Sequence, residues 1–419
     1  MFETTLNERH SQTDRQQLLG VFGLILLGVA FVYSATMVNE PLGLLQRYRE
    51  SPFPQFLEWL AGQFFFRQFV WYALGLGAAV AVAVIDYRSL ARWAMVIYWT
   101  AILLLVAVIV PGIGAMRYGA RRWIDLGIFQ FQPSEFAKLA VILALAHFLS
   151  RPADEMKRLS VFCKAIGLML LPFGLILKEP DLGSALVLVP TAAVMLFVAG
   201  TPKRYLLRLA GAVGVLAALF LVDVLFAPPG WWQIRLEPYQ RSRLLVYFGR
   251  NYMDLAPPNA TAAERQRLRK QQFDDSHSVR QALISVGSGG LTGKGWRQGT
   301  QNALGYLPRA VAHNDFIFSV IAEEKGFVGS VIVVTLYAVI LFTGIRIAGQ
   351  ARDRLGRLLA VGIVALLFSH VFTNIGMNIR IMPVTGVPLP LLSYGGSSVV
   401  GSLIAMGLLQ NVYLHRKAY

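Results

Sequence analysis

The stretch QLLGVFGLILLGVAFVYSATM, residues 17–37, decides the fold class: it runs 21 residues without a charged side chain. A helix needs roughly 20 mostly apolar residues to cross the hydrocarbon of a bilayer. Only a segment that satisfies its own backbone polar groups survives there. Working outward, nine more stretches of this character follow, near 68–85, 93–110, 134–149, 161–177, 182–199, 206–226, 327–345, 358–378 and 391–413. The first is too long for a signal-peptide core and is expected to stay. Composition agrees with the pattern. Of 419 residues, 55% are hydrophobic and 15% charged, against about 25% charged in soluble domains. So few charges cannot coat several soluble cores. A disordered chain, a coiled coil and a disulfide framework are excluded too, the last because Cys163 is alone. The expectation is an all-α, polytopic integral membrane protein: one domain, 1–419, with about ten transmembrane helices and one large extracytoplasmic loop.

The net charge of +16 would suggest nucleic acid in a soluble protein. Here it reads first as basic loops that hold the topology, and second as attraction to membrane lipid; no nucleic-acid partner is expected. An even number of spans puts both termini on one side. That side carries 17 Lys/Arg around the spans, against eight in the short loops opposite. The positive-inside rule therefore places both termini, including a tail 1–16, in the cytoplasm. The segment 227–315 becomes the large extracytoplasmic loop. It opens with the interfacial pair Trp231 and Trp232, continues through a helix-prone stretch, 262–272, and ends in a Gly/Ser-rich run, 286–299.

Four segments are too polar or too glycine-rich for lipid-facing helix. The first is RYGARRWIDLG (117–127) leading into QPSEFAK (132–138). Pro133 and Ser134 read as a helix start. Glu135 and Lys138 then share a face at i,i+3, as a structural ion pair or as the polar wall of a cavity. The second is KEPDLG (178–183), a turn whose Asp181 can cap the next helix. The third is VGSGGLTGKGW (286–296) with HNDFIF (313–318). It fails the phosphate-loop pattern, which needs Gly where Ser288 stands. Asp315 reads either as an N-cap or as a carboxylate facing a cavity. The fourth is TNIG (373–376), MPVTGVPLP (382–390) and SYGGSS (393–398), where three prolines in eight residues preclude regular helix. By this topology all four lie at the outer face, which suits an amphiphile with a polar head and a lipid tail.

The same strings carry a family resemblance. GARRWI, QPSEFAK, EPDLG, GSGGL with GKGW, DFIF, and PLP with SYGGSS stand in family order across almost the whole chain. Together they resemble the SEDS family (shape, elongation, division and sporulation proteins), and MPVTGVPLP is similar to its elongation branch. The middle residue of HNDF departs from the family's common His-Thr-Asp. The resemblance implies a peptidoglycan glycosyltransferase of the bacterial cytoplasmic (inner) membrane. Such an enzyme polymerises lipid II beside a class B penicillin-binding protein. It implies that Asp315 is the essential aspartate, that Arg122 and Trp123 are functionally sensitive, and that Glu135 and Lys138 form the family's buried pair. Asp181 and Ser393 fall in its signature strings as supporting residues.

On that reading the reaction needs a base for a sugar hydroxyl and positive charge for a departing diphosphate. Asp315 is the candidate base. Arg121, Arg122 and Lys294 are candidate diphosphate partners, and Trp123 a surface for a sugar or the lipid. No cofactor is certain; a divalent cation could assist, though no ligand cluster is diagnostic. The rival readings are a lipid II flippase, a division-branch polymerase and a non-catalytic scaffold.

Overall fold

The computed structural model describes residues 13–38, 48, 52–117, 120–127, 129–152, 154–226, 238–255, 261–307 and 309–416. Arg9, Arg47, Arg49, Gly119, Trp231, Trp232, Pro308 and Lys417 lie outside the described residues, as does most of the expected N-terminal tail.

The chain is 76% helical, and each of the ten expected spans is a helix. They are α1 (Arg15–Met37), α2 (Phe64–Val84), α3 (Ala94–Ile109), α4 (Pro133–Leu149), α5 (Leu159–Lys178), α6 (Leu182–Val198) and α7 (Lys203–Phe226), then, after two helices of the outer segment, α8 (Pro238–Tyr247) and α9 (Ala262–Ser288), α10 (Ile317–Gln350), α11 (Arg354–Asn378) and α12 (Gly396–Leu414). Seven are long and apolar enough to cross a membrane on their own length: α1, α2, α5, α7, α10, α11 and α12. The helices α3, α4 and α6 are shorter, at 16 or 17 residues.

Sequence and structure differ in three places. The span expected near 327–345 extends to Gln350 and follows a helical piece that starts at Ile317; the two pieces, together α10, meet at Gly326, whose backbone (φ 63°) is not helical. The last span begins at Gly396, after an irregular stretch that the prolines impose. The polar run after α3 forms a small antiparallel sheet, β1 (Gly114–Arg117), β2 (Ala120–Asp125) and β3 (Gln130–Phe131), in the order β1-β2-β3. Strand pairing satisfies a backbone that would otherwise reach the membrane edge unbonded.

Helices α4, α11 and α12 form the centre. Of α12's most apolar window 78% is buried, against 11% for α7. The outer face of α7 presents Leu207, Val215, Leu216 and Leu219, an apolar surface suited to lipid tails. Tight seams hold the centre. A side chain at Gly407 of α12 would stand 2.5 Å from the Ala79 carbonyl oxygen of α2.

Polar anchors sit at both ends of the bundle. At the end that holds the termini, Asp14 caps α1 through the Gln17 N–H and pairs with Arg346 at 2.6 Å. Arg88 pairs there with Asp353 at 3.0 Å. The opposite end gathers the sheet, the 178–183 turn, the outer segment and the 382–395 stretch.

Filling the α2–α12 seam should separate the two helices. Gly407→Leu is expected to cost about 1–3 kcal/mol, seen as a lower thermal midpoint of the detergent-solubilised protein. Gly77→Ala, with no atom within 4 Å of the added carbon, should leave the midpoint unchanged or higher.

Candidate functional site

The short segment before α10 is clamped from two sides. Asn374 and Asn378 stand one helical turn apart on α11 and are fully buried. Both side-chain amides donate to the Asp315 carbonyl oxygen, each at 3.1 Å. Asn374 also donates to the Val387 carbonyl at 2.8 Å, and Ser319 donates to Asn378 Oδ1 at 2.5 Å. From the other side, Ser393 donates to the Asn314 carbonyl at 2.5 Å and accepts from the Leu389 N–H at 2.8 Å. Asp315 is not a helix cap: Phe316 holds that position, and no side-chain cap bond is made. The carboxylate turns instead toward the 383–387 stretch. A side chain at Gly386 (φ 75°) would stand 3.6 Å from Asp315 Oδ2 and 3.5 Å from Arg243 Nη1. Glycine suits this place twice, because it tolerates left-handed backbone and because it leaves room beside the carboxylate.

Arg122 arrives from β2. Its guanidinium donates from Nε to the Glu179 carbonyl at 3.2 Å and from Nη2 to the Pro180 carbonyl. A small cleft lies between Arg122, Arg243, Leu182, Pro383, Val384 and Thr385. The Thr385 hydroxyl is buried without a hydrogen-bond partner. Arg122 is the extra residue where β2 bulges: Arg121 pairs with Met116 and Trp123 with Ala115, leaving Arg122 between them.

Asp181 is buried at the start of α6 and caps it through the Ser184 N–H at 3.2 Å. Its other oxygen accepts from Gln132 Nε2 at 3.2 Å and from the Ser134 hydroxyl at 3.4 Å. Ser134 therefore does not cap α4; Gln132 is the cap residue. Lys294 also goes elsewhere. Its ammonium lies 2.6 Å from Glu323 Oε1 and 2.6 Å from the Thr300 hydroxyl, which fastens the glycine run to α10. Glu323 sits about 12 Å of helix beyond Asp315, at 1.5 Å per residue.

Below this pocket, the Lys138 ammonium lies 2.7 Å from Glu135 and 3.0 Å from His370 Nε2. An ammonium has no lone pair, so His370 Nε2 must accept. A mostly apolar cavity of about 360 Å³ borders this trio, with Pro390 in its wall.

The charges of the upper pocket shift one another. Burial pushes the Asp315 carboxyl above its ordinary range; Arg243 and Arg122 pull it down, and Asp181 pushes it up. Glu179 is 1% exposed, and both its carboxylate oxygens lack a hydrogen-bond partner. Burial, with Asp181 adding, drives its pKa to about 9 against the pull of Arg122. Glu179 is thus a neutral acid at neutral pH. Among the described residues no three His, Cys, Asp or Glu side chains converge as a metal cage. Asp315 is flanked by guanidinium groups and both Asp181 oxygens are bonded, so the residues present do not themselves make a cation site.

Sequence reasoning missed Arg243, Asn378 and His370. Two asparagines at i,i+4 in an apolar helix are a legible signal. Nothing local marks Arg243 among the many basic residues of the outer segment.

Fold and site together define a polytopic membrane protein with a charged pocket built at one end of its bundle. Residues 15–418 match the family described as cell cycle protein FtsW/RodA/SpoVE. The peptidoglycan glycosyltransferase MrdB of Escherichia coli K12 is 38% identical over 406 residues, 96% of this chain and 94% of the relative. A chain from a peptidoglycan synthase complex, solved for its coordination of polymerization and crosslinking, superposes with a TM-score of 0.71 at 30% identity, covering 96% of this chain and 98% of that one. The rod shape determining protein RodA of Thermus thermophilus gives 0.62 at 29% identity, covering 97% and 98%. The chain belongs to this family, the SEDS proteins of the sequence resemblance, and is a glycosyltransferase.

The Glu179 carboxyl carries a testable sign. Its folded pKa of about 9 lies above the ordinary glutamate value of 4.5. Between those values the folded protein holds a proton that the unfolded chain has lost. Wild-type stability therefore falls as pH rises through that window. Glu179→Gln cannot titrate. It should raise the thermal midpoint, and its lead over wild type should widen from about pH 6 to about pH 8.

Proposed function

We propose that the pocket between Arg122, Arg243 and Asp315 polymerises lipid II into glycan strands at the outer face of the bacterial inner membrane. The chain is a peptidoglycan glycosyltransferase. The observation that carries the assignment to this pocket is the clamped aspartate. Its carbonyl is fixed by two buried amides, and its carboxylate stands beside Gly386 and Arg243, next to the cleft that Arg122 and Arg243 line.

The chemistry follows from the charges. A sugar 4-hydroxyl attacks the anomeric carbon of a disaccharide held on a lipid diphosphate. The hydroxyl proton passes to Asp315 as the new C–O bond forms. The C–O bond to the diphosphate breaks on the opposite face with inversion, and the lipid diphosphate leaves with the electron pair. Arg122 and Arg243 hold its oxygens; guanidinium forks match them well, and their charge stabilises what develops as the bond opens. Diphosphate leaves unprotonated, so no second catalytic acid is needed. A carboxyl raised by burial is a stronger base than an exposed one. Arg243 takes the role first expected of Lys294, whose charge Glu323 holds. Ser393, Asn374 and Asn378 position the aspartate. The Glu135–Lys138 pair supports the wall below.

The partner is a class B penicillin-binding protein that crosslinks the strands, and the role is cell elongation and rod shape. The MPVTGVPLP stretch and the likeness to MrdB and RodA support the elongation role. Both termini lie in the cytoplasm, with the pocket outside. All pocket segments share the end of the bundle away from the termini, which favours an outward-facing enzyme over a flippase.

Purified chain in complex with its crosslinking partner, given lipid II, should yield glycan strands on a gel. Asp315→Ala should abolish them while keeping the thermal midpoint, and persistent polymer in that variant would remove Asp315 as the base. Arg122→Lys should raise KM for lipid II about tenfold with a smaller change in kcat, because a point charge replaces a fork. For the topology, a C-terminal reporter that is active only in the cytoplasm should light up; a dark one, with a lit periplasmic reporter, would invert the orientation.

A further inference from the structure

A buried carboxyl beside a guanidinium usually captures it. Here that capture does not happen. Arg122 reaches past the Glu179 side chain and spends Nε and Nη2 on the backbone carbonyls of Glu179 and Pro180. The Glu179 carboxyl stays dry and unbonded at 1% exposure. It does not line the pocket; Arg122 does.

We propose that Glu179 is a positioning residue that bears a proton beside Arg122, so that the Arg122 charge is left for the diphosphate of the substrate. This rests on reading Arg122 as a diphosphate partner. Two features of the site make a neutral Glu179 necessary. First, an ionised carboxylate here would turn the guanidinium fork onto itself, since charge-assisted pairs are about twice as strong as neutral hydrogen bonds. Second, it would set a like charge against an incoming diphosphate in a dry region, where such repulsion is strong. The groups facing Glu179 are Arg122 from β2 and Asp181 from the start of α6. Arg243 from α8 and Asp315 before α10 complete the charged groups around the pocket. Lys178, its neighbour on α5, is exposed. Asp181 accepts from three donors, and its proximity favours the protonated form of Glu179. Burial and Asp181 together place the loss of that proton near pH 9.

The direction is fixed: the protonated form binds lipid II, and the form above about pH 9 binds it weakly. The test is steady-state polymerisation by the purified complex, from about pH 7 to about pH 10.5, each variant normalised to its own value at about pH 7. Wild-type KM for lipid II should climb toward about tenfold per pH unit above the transition, with kcat moving much less. Glu179→Gln should flatten that rise. Glu179→Met, neutral and of similar volume, should flatten it too, which separates charge from a lost hydrogen bond or a folding defect. Parallel alkaline rises in wild type and both variants overturn the proposal, as does a wild-type KM that stays flat through this range. If Arg122→Lys leaves KM unchanged at neutral pH, the underlying reading of Arg122 fails. If Arg122→Lys raises KM while Glu179→Gln tracks wild type, only the role given to Glu179 fails.

Discussion

The structure turns on one carbonyl oxygen. The backbone of Asp315 accepts from two buried asparagine amides of α11, at the point where the outer segment ends and α10 begins. A buried amide left without a partner is costly, so the two asparagines and the segment hold each other. Val387 and Ser393 tie the proline-rich stretch into the same knot. The knot has a consequence for chemistry. With the main chain fixed and the cap position given to Phe316, the Asp315 carboxylate has no helix to serve. It is left beside Gly386 and Arg243, next to the cleft that Arg122 lines.

The same economy governs the rest of the bundle. A chain in lipid must gather its polar side chains, because each one left facing hydrocarbon is expensive. Here they gather in layers. Asp14 with Arg346 and Arg88 with Asp353 fasten the end that holds the termini. Glu135, Lys138 and His370 fasten the middle. Glu323 and Glu324 hold the glycine run and α1 through Lys294 and Ser34. Each cluster is closed on itself. The cluster around Arg122 differs in its charges: two guanidinium groups, Arg122 and Arg243, line its cleft, whereas the cavity beside Glu135, Lys138 and His370 is walled mostly by apolar side chains.

Much of this was legible before any coordinates. Ten apolar runs gave ten helices, since the length needed to span a bilayer is a hard constraint. Asp181 was readable as a cap from local chemistry, and Glu135 with Lys138 from helical spacing. The failures share a cause. The sheet that carries Arg121, Arg122 and Trp123 was not foreseen, because the polar run carried no clear strand signal. Lys294 looked available because its partner, Glu323, lies 29 residues away in sequence. Arg243 was invisible because only the fold brings α8 over the 383–387 stretch. Local periodicity reports what a helix does with its own faces. It does not report which distant carboxylate will claim a given cation.

That last distinction explains the electrostatic design. Among the described residues, three carboxylates, Glu179, Asp181 and Asp315, and two guanidinium groups, Arg122 and Arg243, stand around the pocket. If all five were ionised, negative charge would exceed positive, and a diphosphate would meet a repulsive site. Holding one carboxyl neutral removes the excess. Asp181 already spends both oxygens on Ser184, Gln132 and Ser134. Asp315 has to accept a proton in the proposed mechanism. Glu179 alone is buried without a donor, and burial without donors is the condition that keeps a carboxyl protonated. The charge balance is therefore set by the unbonded acid, and the two arginines remain a net positive pair when the proton from the acceptor sugar reaches Asp315.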